Sequence, residues 1–285
     1  MKLNVNNPVL VKEIKLRFRS LKSFIGILFY LVAMSIFVFG YIFLTTTLSD
    51  TEFFRPEQSF LLFSMLTFIQ LGLILFITPG LTAGAISTER EKQTLNILLT
   101  TSQSSFQIIA GKLSSSIAFL FHLLLAGLPV YSLVFLFGGI SPSQIALNFS
   151  FLVLTMIAIG SIGVMFSTLI RKTIVSMIAT YGTMIFLSGV TGFFFLIASQ
   201  FNRYGMGMPT LGQQQPEIMA HFWASINPVV LIMTFLRPEI KTGLAELTHI
   251  DFPIWAGYLI FYIMLTIVAV WISVKKLRVN MKRKK

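Results

Sequence analysis

Residues 113–170 read LSSSIAFLFHLLLAGLPVYSLVFLFGGISPSQIALNFSFLVLTMIAIGSIGVMFSTLI, a stretch without a single Lys, Arg, Asp or Glu. A helix rises about 1.5 Å per residue and the hydrocarbon core of a bilayer is about 30 Å thick, so about 20 apolar residues cross it. The stretch is long enough to cross twice. It is interrupted from Gly138 to Pro142. There Ser141 and Gln144 have capping-box spacing, and proline suits a first helical turn. Two spans are expected, over 113–138 and 142–170, joined by a short turn.

The same reading extends outward. Uncharged runs predict further spans over 23–49, 58–87, 173–200 and 252–274, and none of the six holds Asp or Glu. The expected fold is an all-α polytopic membrane protein with six transmembrane helices, a single transmembrane domain over 1–285. Composition agrees, because charged residues make up 11% of the 285, where a soluble domain carries about 25%. Mean hydropathy is +0.83. The first span follows 22 mostly polar residues and is longer than a signal-peptide core, so we expect it to be retained. Pro79 and Pro129 are expected to kink the second and third spans.

The net charge of +12 is distributed unevenly. Six Lys and Arg precede the first span, three lie in 88–112, two are Arg171 and Lys172, and seven lie in the tail 275–285. The opposite side holds only Arg55, Arg203, Arg237 and Lys241. Because basic residues stay cytoplasmic, both termini are expected there. The positive charge then orients the chain and meets anionic membrane lipids, not nucleic acid.

Three segments outside the spans carry a pattern of their own. Over 9–22, Leu10, Ile14, Phe18 and Leu21 recur at helical spacing, with Lys12, Lys15, Arg19 and Lys22 on other faces. Such a helix lies in the membrane interface; a solvated basic tail is the alternative. Over 88–112, Thr88 and Glu91 have capping-box spacing, Glu89 and Glu91 fall in a first turn, and Leu95, Leu98 and Leu99 make an apolar edge. Residues 100–105 break that helix, and Ser104 with Gln107 offers a second capping box. Pattern alone leaves this segment either a structured cytoplasmic hairpin or a solvated re-entry loop. Over 201–251, the run Val229–Leu236 between Pro228 and Pro238 is too short to cross and is expected to be re-entrant or interfacial. His221, Phe222 and Trp223 suggest an aromatic anchor before it. Trp255 and Tyr258 are expected at the outer interface and Trp271 at the inner one.

Little chemistry is available to such a chain. It has no cysteine, and His122, His221 and His249 lie far apart, which leaves no thiolate site and no local metal motif. His122, the one readily ionisable group within a span, is expected to be held by an interhelical hydrogen bond. The pair Gly111 and Lys112 has Phe106 where a phosphate loop requires glycine. No carboxylate stands at mid-membrane for a coupling ion, which weighs against a secondary carrier. Gly80 with Gly84, Gly160 with Val164, and Gly163 with Ser167 set small side chains along helix faces, as close packing requires. We expect no catalytic residue, cofactor or metal on this chain.

Three sets of residues, in this order of elements, carry a resemblance. They are Asn7, Pro8, Lys12, Glu13, Arg17 and Arg19; then Gly84, Glu89, Arg90, Glu91, Thr94, Leu95, Leu98 and Leu99, continuing to Gly111 and Lys112; and Asn227 with Pro228. Together they resemble the elbow helix, first coupling segment and outer segment of the six-span permease subunit of type 2 ATP-binding-cassette (ABC) transporters. Ser102 departs from the proline that many relatives have. The resemblance implies a prokaryotic plasma (inner) membrane protein that forms an export path with a second permease subunit, identical or paralogous. Each would rest on a separate cytoplasmic ATP-binding subunit that holds ATP and Mg. Leu95, Leu98 and Leu99 would supply the buried contact to it, with Glu89, Arg90, Glu91, Lys92 and Thr94 around them and Arg171 and Lys172 as a smaller second contact. Val229, Leu231, Ile232, Phe235 and Leu236 would close the exit. An ATP-independent channel or secondary carrier, or a membrane scaffold, are the competing classes.

Overall fold

The computed structural model describes residues 8–48, 56–100, 103–136, 138, 140–203, 218–248 and 250–282. Asn7, Ser49, Arg55, Ser102, His249, residues 204–217 and 283–285, and the side chains of Arg17, Lys22, Leu98, Arg203 and Lys241 lie outside the described residues.

All the regular elements among the described residues are helical. The chain enters through α1 (Pro8–Phe18), turns at Arg19 and Ser20, and continues as α2 (Leu21–Leu48) and α3 (Pro56–Thr82). Two five-residue helices follow, α4 (Ser87–Glu91) and α5 (Leu95–Leu99), then α6 (Ser105–Ala126) and α7 (Leu128–Leu136). Next come α8 (Pro142–Leu169), α9 (Thr173–Ile185), a π-helical turn at Phe186–Val190 and α10 (Thr191–Arg203). The last elements are α11 (Ile218–Ile226), α12 (Pro228–Leu236), α13 (Pro238–Thr248) and α14 (Ile254–Lys282).

Six helical stretches are long and apolar enough to cross a membrane. They are built on α2, α3, α6 with α7, α8, α9 with α10, and α14. Lipid supplies no hydrogen bonds, so each crossing must satisfy its own backbone, as these helices do. α11 and α12 form a further apolar pair, bent by 93°.

The bundle is organised around α8. Of its apolar window 61% is buried inside the protein, against 17% for α2 and 11% for the span of α9 and α10, so α8 is the axis and those two spans are the periphery. α14, α3, α6 and α9 all pack on it. Apolar side chains gain little by leaving lipid for protein, so close approach depends on small residues. At Gly163 a Cβ would stand 2.9 Å from the Thr82 Cβ and 3.3 Å from the Ala83 nitrogen. Only glycine lets the last turn of α3 rest on α8 there.

Several element bounds have identifiable causes. α6 starts at Ser105 on the Ser104–Gln107 capping box, as expected, and runs without a break into the apolar stretch from residue 113. α6 stops at Gly127 because Pro129 has no N–H to continue the ladder, and the chain restarts as α7. Pro79, by contrast, lies inside α3. α14 runs on into the basic tail, where Leu277 is fully buried and Arg278 donates to the Gln103 carbonyl at 2.9 Å. The Ser141–Gln144 capping box starts α8.

Candidate functional site

The end of the bundle that carries α1, α4, α5 and the last turns of α14 gathers the charged side chains. After α3 the chain turns through Ala83 to Ile86. The Ser167 hydroxyl of α8 accepts from the Ile86 and Ser87 amides at 2.8 and 2.9 Å, satisfying two orphan donors at the start of α4. α4 then presents three consecutive charged residues, each of which reaches a different partner.

Glu89 accepts from the Lys112 ammonium of α6 at 3.1 Å, and Lys112 also donates to Glu13 of α1 at 3.0 Å. Lys112 is only 6% exposed; a cation so buried needs such compensation. Arg90 donates to the Thr168 and Ile170 carbonyls at 3.0 and 3.2 Å, at the C-terminus of α8, where the helix dipole favours a cation. Glu91 accepts from the Thr173 amide at 2.7 Å and the Thr173 hydroxyl at 2.9 Å, and so caps α9.

The environment shifts these groups accordingly. Partial burial alone would raise the Glu89 carboxyl, but the Thr94 hydroxyl and Lys112 ammonium outweigh it and hold it below its ordinary value. The two Thr173 hydrogen bonds hold Glu91 low as well. Burial, and then the neighbouring Arg171 charge, lower Arg90.

Between α4 and α5 the chain reverses at Gln93, whose φ of 59° lies in the left-handed region. Lys92, Gln93, Thr94 and Asn96 are exposed at this tip. Leu95 is turned the other way. It is 4% exposed and packs with Ile86, Ile108, Ile109, Leu113, Val164 and Leu277, with Leu99 half-buried against the same group.

Two expectations are corrected here. The Thr88–Glu91 capping box does not form, because α4 is capped two residues earlier, at Ile86, and Glu91 takes the Thr173 donors. The leucine edge is not an outward face at Leu95, because the protein's own core covers it. Arg171 and Lys172 are exposed on the α8–α9 connection beside Arg90 and Glu91.

α1 lies along α6. Leu10, Ile14 and Phe18 are partly buried, while Lys12, Lys15 and Arg19 are exposed. Phe18 meets the Phe119 and His122 rings edge-on at 6.1 and 5.4 Å. His122 is exposed on the bundle surface, which corrects the expectation of an interhelical hydrogen bond; its observed partner is that aromatic ring.

At the opposite end, α12 is seated in the bundle. Leu231, Ile232 and Leu236 are buried, Val229 packs on the main core, and Phe235 meets the Phe151 ring at 4.9 Å. Asn227, fully buried, holds this plug in place. Its Oδ1 accepts from the Val229 and Val230 amides at 2.8 and 3.0 Å, and its Nδ2 donates to the Ser188 carbonyl at 2.7 Å and the Thr191 hydroxyl at 2.8 Å. The π turn of the fifth span and the start of α12 thus share one side chain. Tyr258, expected at the outer interface, is turned into the bundle and buried, with its hydroxyl 2.6 Å from Thr155. Trp255 and Trp271 are exposed, the latter beneath Lys275 at 4.8 Å.

Among the described residues no group of three or more metal-ligating side chains occurs. The fold therefore defines a multi-pass integral membrane protein with a charged hub at one end and a seated apolar plug at the other. Residues 8–274 match the family described as ABC-2 family transporter protein, and the chain belongs to that family. It is a permease component of ABC transporters. No curated protein matches it. Glu13 and Lys112 stood among the quoted residues, but their pairing, and the parts played by Ser167 and Thr173, had no signal in sequence spacing.

Proposed function

We propose that the protein is the permease subunit of an ABC exporter, with the hub end in the cytoplasm, paired with a second permease and coupled to a separate ATP-binding subunit that carries ATP and Mg. The observation that carries this reading is the wiring of α4. Glu89, Arg90 and Glu91 engage α6, α8 and α9, and Lys112 extends the first of these contacts to α1. A push on so short a helix is then shared by the elbow and three spans.

The exposed tip at Lys92, Gln93, Thr94 and Asn96, with Leu98 and the open part of Leu99, forms the docking face. Arg171 and Lys172 give the second contact. Leu95 has a different role from that expected, as the anchor holding the hairpin to the bundle. The fifth span links the two ends, since it begins at the Glu91-capped Thr173 and carries the π turn that Asn227 joins to α12. Motion at the hub reaches Val229, Leu231, Ile232, Phe235 and Leu236 by that route, opening the exit. Elements with two discrete packings carry such coupling best.

Coexpression with the ATP-binding subunit tests this. Asn96→Trp, on the exposed tip, should lose the copurifying subunit while the permease still inserts. Copurification at the unsubstituted level would contradict the docking face.

A further inference from the structure

Away from the hub, α11, α12, α13 and the start of α14 enclose a cavity of about 380 Å³. Phe235, Phe252 and Trp255 line it, together with His221, Thr234 and Asp251. His221 is 9% exposed, and neither ring nitrogen has a hydrogen-bond partner among the described residues. A neutral imidazole offers one donor and one acceptor, and burying both unpaired is unfavourable, so a ligand that pairs even one of them is favoured. The Thr234 hydroxyl gives its proton to the Leu231 carbonyl at 2.7 Å, so toward the cavity it can only accept.

Acceptors thus outnumber donors. Asp251 adds a negative charge, and among the described residues no lysine or arginine lines the cavity. An anion would meet a carboxylate with no cation to offset it. A protonated amine suits the acceptors and the aromatic faces: it can donate to Asp251, Thr234 or the acceptor nitrogen of the imidazole, and its charge is attracted to the rings. Cavities of roughly 300–1,000 Å³ take small organic molecules. We infer that this cavity binds an organic ammonium compound, a primary amine on an apolar, ring-sized body. The site goes beyond the coupling mechanism, and its test does not depend on an ATP-binding subunit.

Calorimetric titration of the full chain in lipid nanodiscs with 2-phenylethylamine, 2-phenylethanol and phenylacetate separates charge from shape. The amine should bind saturably, roughly tenfold tighter than the alcohol, and phenylacetate should not bind. Asp251 is exposed, so Asp251→Asn should fold normally, weaken the amine by roughly tenfold and leave the alcohol unchanged. His221→Leu should weaken the amine too; if it fails to fold, Asp251→Asn decides. Equal binding of amine and alcohol, binding of phenylacetate, or an amine affinity unmoved by Asp251→Asn would overturn the inference.

Discussion

Lys112 and Glu13 are 99 positions apart, yet the ammonium of one lies 3.0 Å from the carboxylate of the other. The same ammonium reaches Glu89, so one buried cation fastens the first helix of the chain to the short helix that follows the second span. Breaking a buried ionic network by removing one partner strands the others, which is costlier than never having built it.

Lys112→Met should therefore destabilise the protein by about 2 kcal/mol. It should also raise hydrogen exchange across α1, which loses its polar attachment to α6. Adding Glu13→Gln and Glu89→Gln to the same variant should recover part of the loss. Unchanged exchange across 8–18 in Lys112→Met would show that α1 is held by its apolar face alone.

Glu91 makes a prediction about pH. Its carboxyl is held below its ordinary value by Thr173, so its capping of α9 stabilises the fold above the unfolded-state value and is lost as pH falls through the depressed one. Exchange of the Thr173 amide should be slower in the unsubstituted protein than in Glu91→Gln at pH 7, and the difference should vanish in acid. A difference that persists at pH 2 would assign the protection to something else.

Gly163→Ala should destabilise by roughly 1–3 kcal/mol through overpacking against Thr82 and Ala83. Gly40→Ala, where a Cβ meets nothing within 4 Å, is the neutral control. Thermal unfolding of both variants in detergent checks this, and equal midpoints would mean that α3 and α8 are not in close contact.

Asn227→Ala removes the cap of α12 and takes away the donor to the half-buried Ser188 carbonyl and the buried Thr191 hydroxyl, a cost of about 2–3 kcal/mol. Asn227→Asp keeps the Oδ1 cap but turns an acceptor-only carboxylate oxygen onto the Ser188 carbonyl at a fully buried position, so its unfolding midpoint should fall at least as far as that of the alanine variant. An Asp variant as stable as the unsubstituted protein would show that the bridge to the π turn contributes nothing.

How much of this was legible depends on the range of the signal. Six spans could be read because lipid forces each crossing to be continuous and apolar over a fixed length. The capping boxes at Ser104 and Ser141 could be read because both partners lie within one turn. Thr88 and Glu91 have the same spacing, but Glu91 found its donors 82 positions away, and no local rule anticipates that. Leu95 was legible as apolar but not as inward-facing, since its neighbours Ile108, Val164 and Leu277 come from three other helices. His122 and Tyr258 exchanged expectations for a related reason: which face of a span meets protein is decided by helices elsewhere in the chain.

The chain has no cysteine, so Asn96→Cys creates a single thiol at the exposed tip of the α4–α5 hairpin. In membranes containing the ATP-binding subunit, a short thiol-to-amine crosslinker should join that residue to the subunit, in a yield that changes between nucleotide-free and ATP-bound conditions. If the tip reacts freely with a soluble maleimide but never crosslinks to the subunit in either condition, the hairpin is not the point at which work enters the membrane.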